Sequence, residues 1–149
     1  RLLFGMPSQV RTVGSMRGEV VERFNTQFVY DDPALVVTAQ SGVIDQQGRA
    51  FMHGYEIHLE KATIHFEFSA LAEPNEPEVC GLKVFAEDGS VLRPELGDGD
   101  PVHAFAREIG EVARCLEKNE PSKILAGNLA RDAIEICEMQ ARQVLGNRV

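Results

Sequence analysis

Residues 51–68 read FMHGYEIHLEKATIHFEF and constrain the fold more than any other stretch of the chain. Placing Glu60 and Lys61 at a turn sets Ile57 opposite Ile64, Tyr55 opposite Phe66 and His53 opposite Phe68. On the other face the same register sets His58 opposite Thr63, Glu56 opposite His65 and Gly54 opposite Glu67. One pairing thus separates an apolar and aromatic face from a mostly polar one, as a half-buried antiparallel pair requires. Slipping the register by one residue would mix both faces. The stretch therefore predicts a β-hairpin at the centre of a sheet.

Strand signals surround it. Residues 9–16 predict a strand weakened by Gly14, and Phe24, Thr26, Phe28 and Tyr30 alternate with period two. Residues 20–24 are compatible with strand or loop. Asp31-Asp32-Pro33 ends the second strand, and residues 35–41 predict a third that stops at Gly42. Residues 72–77 predict a solvated loop. Residues 81–85 and 91–92 predict a second hairpin around Asp88-Gly89.

After Gly97-Asp98-Gly99-Asp100 the period changes. Asp100 and Pro101 predict a capped helix start, with Val102, Phe105, Ala106, Ile109, Val112, Ala113 and Leu116 as one apolar stripe through Lys118. Asn119-Glu120-Pro121 breaks it. A second helix is predicted from a cap at Asn128, with Leu129, Ala130, Ala133, Ile134, Cys137, Ala141 and Val144 as its stripe and Gly146 at its end. Strands followed by amphipathic helices predict an α+β domain: an open, predominantly antiparallel sheet of six or seven strands with two C-terminal helices over one face. The other face is then available for a partner.

Net charge and cysteine usage exclude some function classes. A formal charge of −8 opposes a phosphate-tracking nucleic-acid binder and an anionic-membrane binder. No apolar run reaches membrane-spanning length. Cys80, Cys115 and Cys137 are odd in number and widely spaced, which predicts free thiols in a reducing cytoplasm. The chain opens Arg1-Leu2-Leu3-Phe4-Gly5 without Met and is read as part of a longer polypeptide.

Chemistry-bearing residues form no constellation by spacing. Glu56, His58, His65 and Glu67 share a hairpin face, but only Glu56 and His65 are predicted close, so no metal site is assigned. Residues 97–100 lack the further ligands of a calcium loop. Cys80 and Cys115 lack an adjacent base, His103 is a surface residue, and Glu73, Glu76 and Glu78 lie in a solvated loop. No phosphate loop, dinucleotide fingerprint or nucleophile elbow is present. No catalytic residue is assigned.

The GYEIHLEKATIHFE hairpin, followed by DPVHAFAREIGEVARCLEKNEPS and NLARDAIEICEMQARQVLGNRV, resembles the C-terminal domain of the Gfo/Idh/MocA oxidoreductase family, relatives of glucose–fructose oxidoreductase and inositol dehydrogenase. The family hairpin commonly reads E-I-x-G-E-K-G-T-I. Here Glu56, Ile57, Glu60, Lys61, Thr63 and Ile64 match, while Leu59 and Ala62 replace the glycines. Asp100-Pro101, Phe105, Glu108, the break at 119–121 and the last helix with Gly146 and Val149 match the family's tail.

The resemblance implies a two-domain parent whose N-terminal Rossmann domain binds NAD or NADP and carries a Glu-Lys-Pro motif with a catalytic Lys. Neither that motif nor the family's Asp-x-x-x-His motif occurs here. Glu60-Lys61 is followed by Ala62 within a turn and is not the catalytic motif. Residues 1–149 would be the substrate-side and oligomerisation domain, holding no cofactor itself and forming a homo-oligomer through its open sheet face. The parent would act on a sugar, polyol or related carbohydrate. Gly54-Tyr55-Glu56 is similar to a substrate-adjacent segment in some members, which makes Tyr55, with His53 on the same face, the candidate substrate contact. The competing reading makes Tyr55 and Phe66 a cross-strand aromatic pair in a core or interface. A stand-alone dimerising or small-ligand-binding module without catalytic activity is the alternative to the enzyme reading.

Overall fold

The computed structural model describes residues 1–73, 77–97 and 101–146. The chain is α+β, with every strand pair antiparallel. It forms two compact units, one from Arg1–Val43 with Pro101–Val149 and one from Ile44–Asp100.

The first unit contains β1 (Gln9–Arg17), β2 (Val20–Val29) and β3 (Val37–Gly42) in that spatial order, with helices α1 (Pro101–Lys118) and α2 (Gly127–Gly146). The stretch 20–24, open from sequence, belongs to β2. Gly18, in the left-handed region at φ 64°, makes the tight turn between β1 and β2. The register sets Val10 opposite Phe28, Thr12 opposite Thr26 and Gly14 opposite Phe24, and α2 covers this face of β1 and β2. Gly14 is required by close approach: a Cβ there would lie 2.3 Å from the Arg23 carbonyl oxygen and 3.0 Å from Val144 Cγ2.

Much of the buried material under α2 is polar. Val10 and Val144 are its fully buried apolar residues, beside buried Thr12, Thr26, Asp132 and Gln140. Gln140 Nε2 donates to Thr26 Oγ1 at 2.8 Å, and the Thr26 and Thr12 hydroxyls share a hydrogen bond of 3.0 Å. Gln143 completes the arrangement at the sheet edge: Thr12 N–H donates to its Oε1 at 2.6 Å and its Nε2 donates to the Val10 carbonyl. Its amide satisfies the outward-facing groups of an edge strand and blocks further pairing there. Asp132 accepts from Arg1 Nε at 2.6 Å and from Arg131 Nη2 at 2.6 Å; these hydrogen bonds, Arg1 first, hold its carboxyl below the usual range.

The second unit is a meander of β4 (Arg49–His58), β5 (Ala62–Leu71), β6 (Pro77–Ala86) and β7 (Val91–Leu92). Each of the six hairpin pairs expected from sequence is present between β4 and β5. The Asp88-Gly89 turn also forms, with Gly89 at φ 83° and Ser90 N–H donating to Asp88 Oδ1 at 2.9 Å. β6 begins at Pro77, so part of the expected loop is strand.

Three details differ from the sequence reading. The strands divide between a three-stranded and a four-stranded sheet instead of forming one. β3 carries Thr38, Ala39, Gln40 and Ser41, all exposed, and offers little apolar surface across which one core could continue. The helices differ as well. Among the described residues α1 packs on no strand or helix, and Phe105, Ile109 and Leu116 of its stripe are 64%, 70% and 77% exposed. α2 begins at Gly127 rather than after a cap at Asn128, and turns Leu129, Asp132, Ile136, Gln140 and Val144 inward while Ala133, Ile134 and Cys137 stay exposed. Polar Thr12 and Thr26 beneath it select Gln140 over the apolar neighbours that a purely hydrophobic stripe would use. The expected Asp100 cap, residues 98–100 of the acidic loop, Glu76 and Val149 lie outside the described residues.

Candidate functional site

The register of β4 and β5 builds an aromatic face. Phe51, His53 and Tyr55 project from alternate positions of β4, and Phe66 and Phe68 from β5. His53 stacks on Phe68 with ring centroids 5.3 Å apart, and Tyr55 on Phe66 at 5.5 Å with 29° between planes. His53 also lies 5.6 Å from Phe66 and 5.2 Å from Phe51, which closes a continuous ladder. The β6 partner of Phe68 extends this face with Val79.

The ladder is not a core. Tyr55 is 48% and Phe51 54% exposed, and His53 is exposed as well. The cross-strand Tyr55–Phe66 pair is therefore present on an open surface. An aromatic ladder of this kind stacks flat apolar faces, whether of a second protein surface or of a ring. Two open grooves, each of about 690 Å³, lie elsewhere: one lined by Thr12, Thr26, Ala39 and Gln143, the other by Leu82, Lys83, Arg93 and Leu96. Neither includes Tyr55 or His53.

The opposite face of this sheet carries the polar residues. His58 Nε2 contacts Glu56 Oε1 at 2.9 Å, and its Nδ1 lies 3.3 Å from Thr63 Oγ1. With Nε2 donating, Nδ1 is left to accept from the Thr63 hydroxyl, so both ring nitrogens are used. Glu56 thus bonds along its own strand to His58 rather than across to His65. His65 Nδ1 instead lies 3.8 Å from Cys80 Sγ, to which Lys83 Nζ donates at 3.1 Å. Among the described residues no group of three His, Cys, Asp or Glu side chains gathers to hold a metal ion. At the hairpin tip Lys61 Nζ reaches Glu87 Oε2 at 3.9 Å, so the Glu60-Lys61 turn is tied to the next hairpin.

Sequence reasoning missed the Cys80–Lys83–His65 cluster. Residues three apart in a strand normally face opposite ways. Here His65 pairs with Lys83 but Glu67 with Cys80, so a bulge in β6 inserts a residue and turns both onto one face. No residue type at 81–82 announces that bulge beyond Gly81. A second cluster sits at the end of α1. Glu111 accepts from Arg114 Nε and Nη2, both at 2.8 Å, and from the Ser122 hydroxyl at 2.7 Å. The Arg114 hydrogen bonds, then that of Ser122, hold the Glu111 carboxyl down at about 2. All three cysteines are free, with Cys137 exposed and Cys80 and Cys115 half-buried.

No known family, curated protein or solved structure matches the chain. Among the described residues no helix is long and apolar enough to cross a membrane.

Proposed function

We propose that this chain is the non-catalytic, self-associating C-terminal domain of an NAD(P)-dependent oxidoreductase acting on a sugar, polyol or related carbohydrate. The observation that carries the reading is the aromatic ladder Phe51–His53–Tyr55–Phe66–Phe68 on one sheet face, with Phe51, His53 and Tyr55 exposed and Phe66 and Phe68 half-buried. A flat apolar face of this kind on a chain of −8 charge is suited to burial against another subunit. The assignment to an oxidoreductase parent rests on the residues that resemble the Gfo/Idh/MocA hairpin, Glu56, Ile57, Glu60, Lys61, Thr63 and Ile64. In that parent the nucleotide and the hydride chemistry belong to the Rossmann domain, and Tyr55 with His53 would face the carbohydrate or the neighbouring subunit. The free thiols support a cytoplasmic setting.

Two measurements test the halves of this reading separately. Calorimetric titration of NAD(H) into the chain is expected to give no specific binding; tight binding would contradict a domain without a nucleotide site. Replacing Tyr55→Glu places a charge in the ladder and is expected to weaken self-association at least about tenfold, the effect of roughly 1.4 kcal/mol. Unchanged association would remove the sheet face from the interface.

A further inference from the structure

Two apolar stripes in the first unit lie bare, and their spacings match. On α1, Phe105, Ile109, Val112 and Leu116 are exposed at steps of four, three and four, the spacing of a coiled-coil seam. On α2, with the inward positions given to the sheet, Ala130, Ile134 and Cys137 are exposed and Ala141 is half-buried, again at steps of four, three and four. Laid antiparallel, Leu116 falls on Ala130, Val112 on Ile134, Ile109 on Cys137 and Phe105 on Ala141. Large side chains meet small ones at three of these four levels, as interdigitating ridges and grooves require.

The chain's own connection does not bring these stripes together. Residues 119–126 are fastened to the end of α1: Asn119 takes a left-handed φ of 50°, Glu120 N–H donates to the Cys115 carbonyl at 3.0 Å, and Ser122 is held by Glu111. Ser122 Oγ also accepts from the N–H groups of Ile124 and Leu125 at 3.3 and 3.1 Å. With the exit so fixed, among the described residues α1 packs on no strand or helix of its own chain.

We infer that the α1 seam docks on the outer α2 stripe of a second copy of this chain, reciprocally, around a two-fold axis. At roughly 100 Å² for each large apolar side chain, Phe105, Ile109, Val112, Leu116 and Ile134 of two copies remove on the order of 1,000 Å² from water, and Ala130, Cys137 and Ala141 add to it. Stable specific interfaces bury about 1,200–2,000 Å². Charge does not oppose the contact, because on α1 Arg107, Arg114 and Lys118 balance Glu108, Glu111 and Glu117. This contact is independent of the aromatic face proposed above.

The test uses the full chain with Cys80→Ser and Cys115→Ser, so that Cys137 is the remaining native thiol, and adds Ile109→Cys. Mild oxidation is expected to give a reducible species of twice 16.5 kDa, with position 109 of one copy joined to Cys137 of the other by peptide mapping. Arg107→Cys, on the opposite side of α1, is the control and stays uncrosslinked. A bridge within one chain would show α1 closing on its own α2 and overturn the exchange. Bridges between two position-109 thiols, equal crosslinking by the Arg107→Cys control, or no bridge would overturn it too.

Discussion

Replacing Thr26 by Val removes one oxygen and almost no volume, and it opens the buried network under α2. Thr26 Oγ1 accepts from Gln140 Nε2 at 2.8 Å and bonds Thr12 Oγ1 at 3.0 Å, and all three residues are buried. The variant leaves an amide N–H and a hydroxyl unpartnered away from water. Each such group costs about 1–3 kcal/mol, so the lower end for the two together is about 2 kcal/mol. For a unit of this size each kcal/mol moves Tm by about 4–8 °C, so Thr26→Val is expected to lower Tm by about 8–16 °C. Both helices belong to the first unit, so far-ultraviolet circular dichroism follows its unfolding. The triple replacement Thr12→Val, Thr26→Val and Gln140→Leu removes the orphaned partners as well and is expected to recover most of the loss. A Thr26→Val variant within about 0.5 kcal/mol of the parent, the range of an ordinary surface substitution, would refute the view that this network is a closed hydrogen-bonded unit.

Other outcomes follow from single sites. Gly14→Ala sets its Cβ against the Arg23 carbonyl oxygen, which cannot rotate away, and is expected to cost about 1–3 kcal/mol in urea unfolding. Gly110→Ala, in open space within α1, is expected to stabilise by up to about 1 kcal/mol; equal effects at both sites would count against the close approach at Gly14. Because Arg114 and Ser122 depress Glu111, its contribution is present above the ordinary glutamate value of 4.5 and is lost as pH falls towards about 2. Carboxyl-resolved nuclear magnetic resonance is expected to place its midpoint near 2 and to move it upward in Ser122→Ala. A midpoint with the free glutamates, at about 4.3, would contradict the network.

What the sequence revealed follows what is local. The β4–β5 register was legible because Tyr55, Ile57, Ile64 and Phe66 alternate with Glu56, His58, His65 and Glu67, and only one pairing keeps them apart. The Asp88-Gly89 turn and the extent of α1 were legible for the same reason, since turn chemistry and helical spacing act over a few residues. Which surface each stripe meets is a longer-range property. Nothing in Ile134 or Cys137 shows that Asp132 and Gln140 are buried instead; Gln140 is held by Thr26 and Asp132 by Arg1, each more than a hundred residues earlier in the chain. The same holds for the division into two sheets and for the β6 bulge that brings Cys80 to Lys83 and His65. Tyr55 and His53 were placed on one face by the sequence, but period-two alternation says only which residues share a face and not how exposed that face is.

Sedimentation of an Ile109→Glu variant, with and without Tyr55→Glu, tests the central claim most directly, because the first change disables the helix seam and isolates the aromatic face. The ladder predicts that Ile109→Glu alone sediments at twice 16.5 kDa and that adding Tyr55→Glu brings it to 16.5 kDa. A single mass of 16.5 kDa for Ile109→Glu at every concentration, or a dimer untouched by Tyr55→Glu, would contradict self-association through the Phe51–His53–Tyr55–Phe66–Phe68 face.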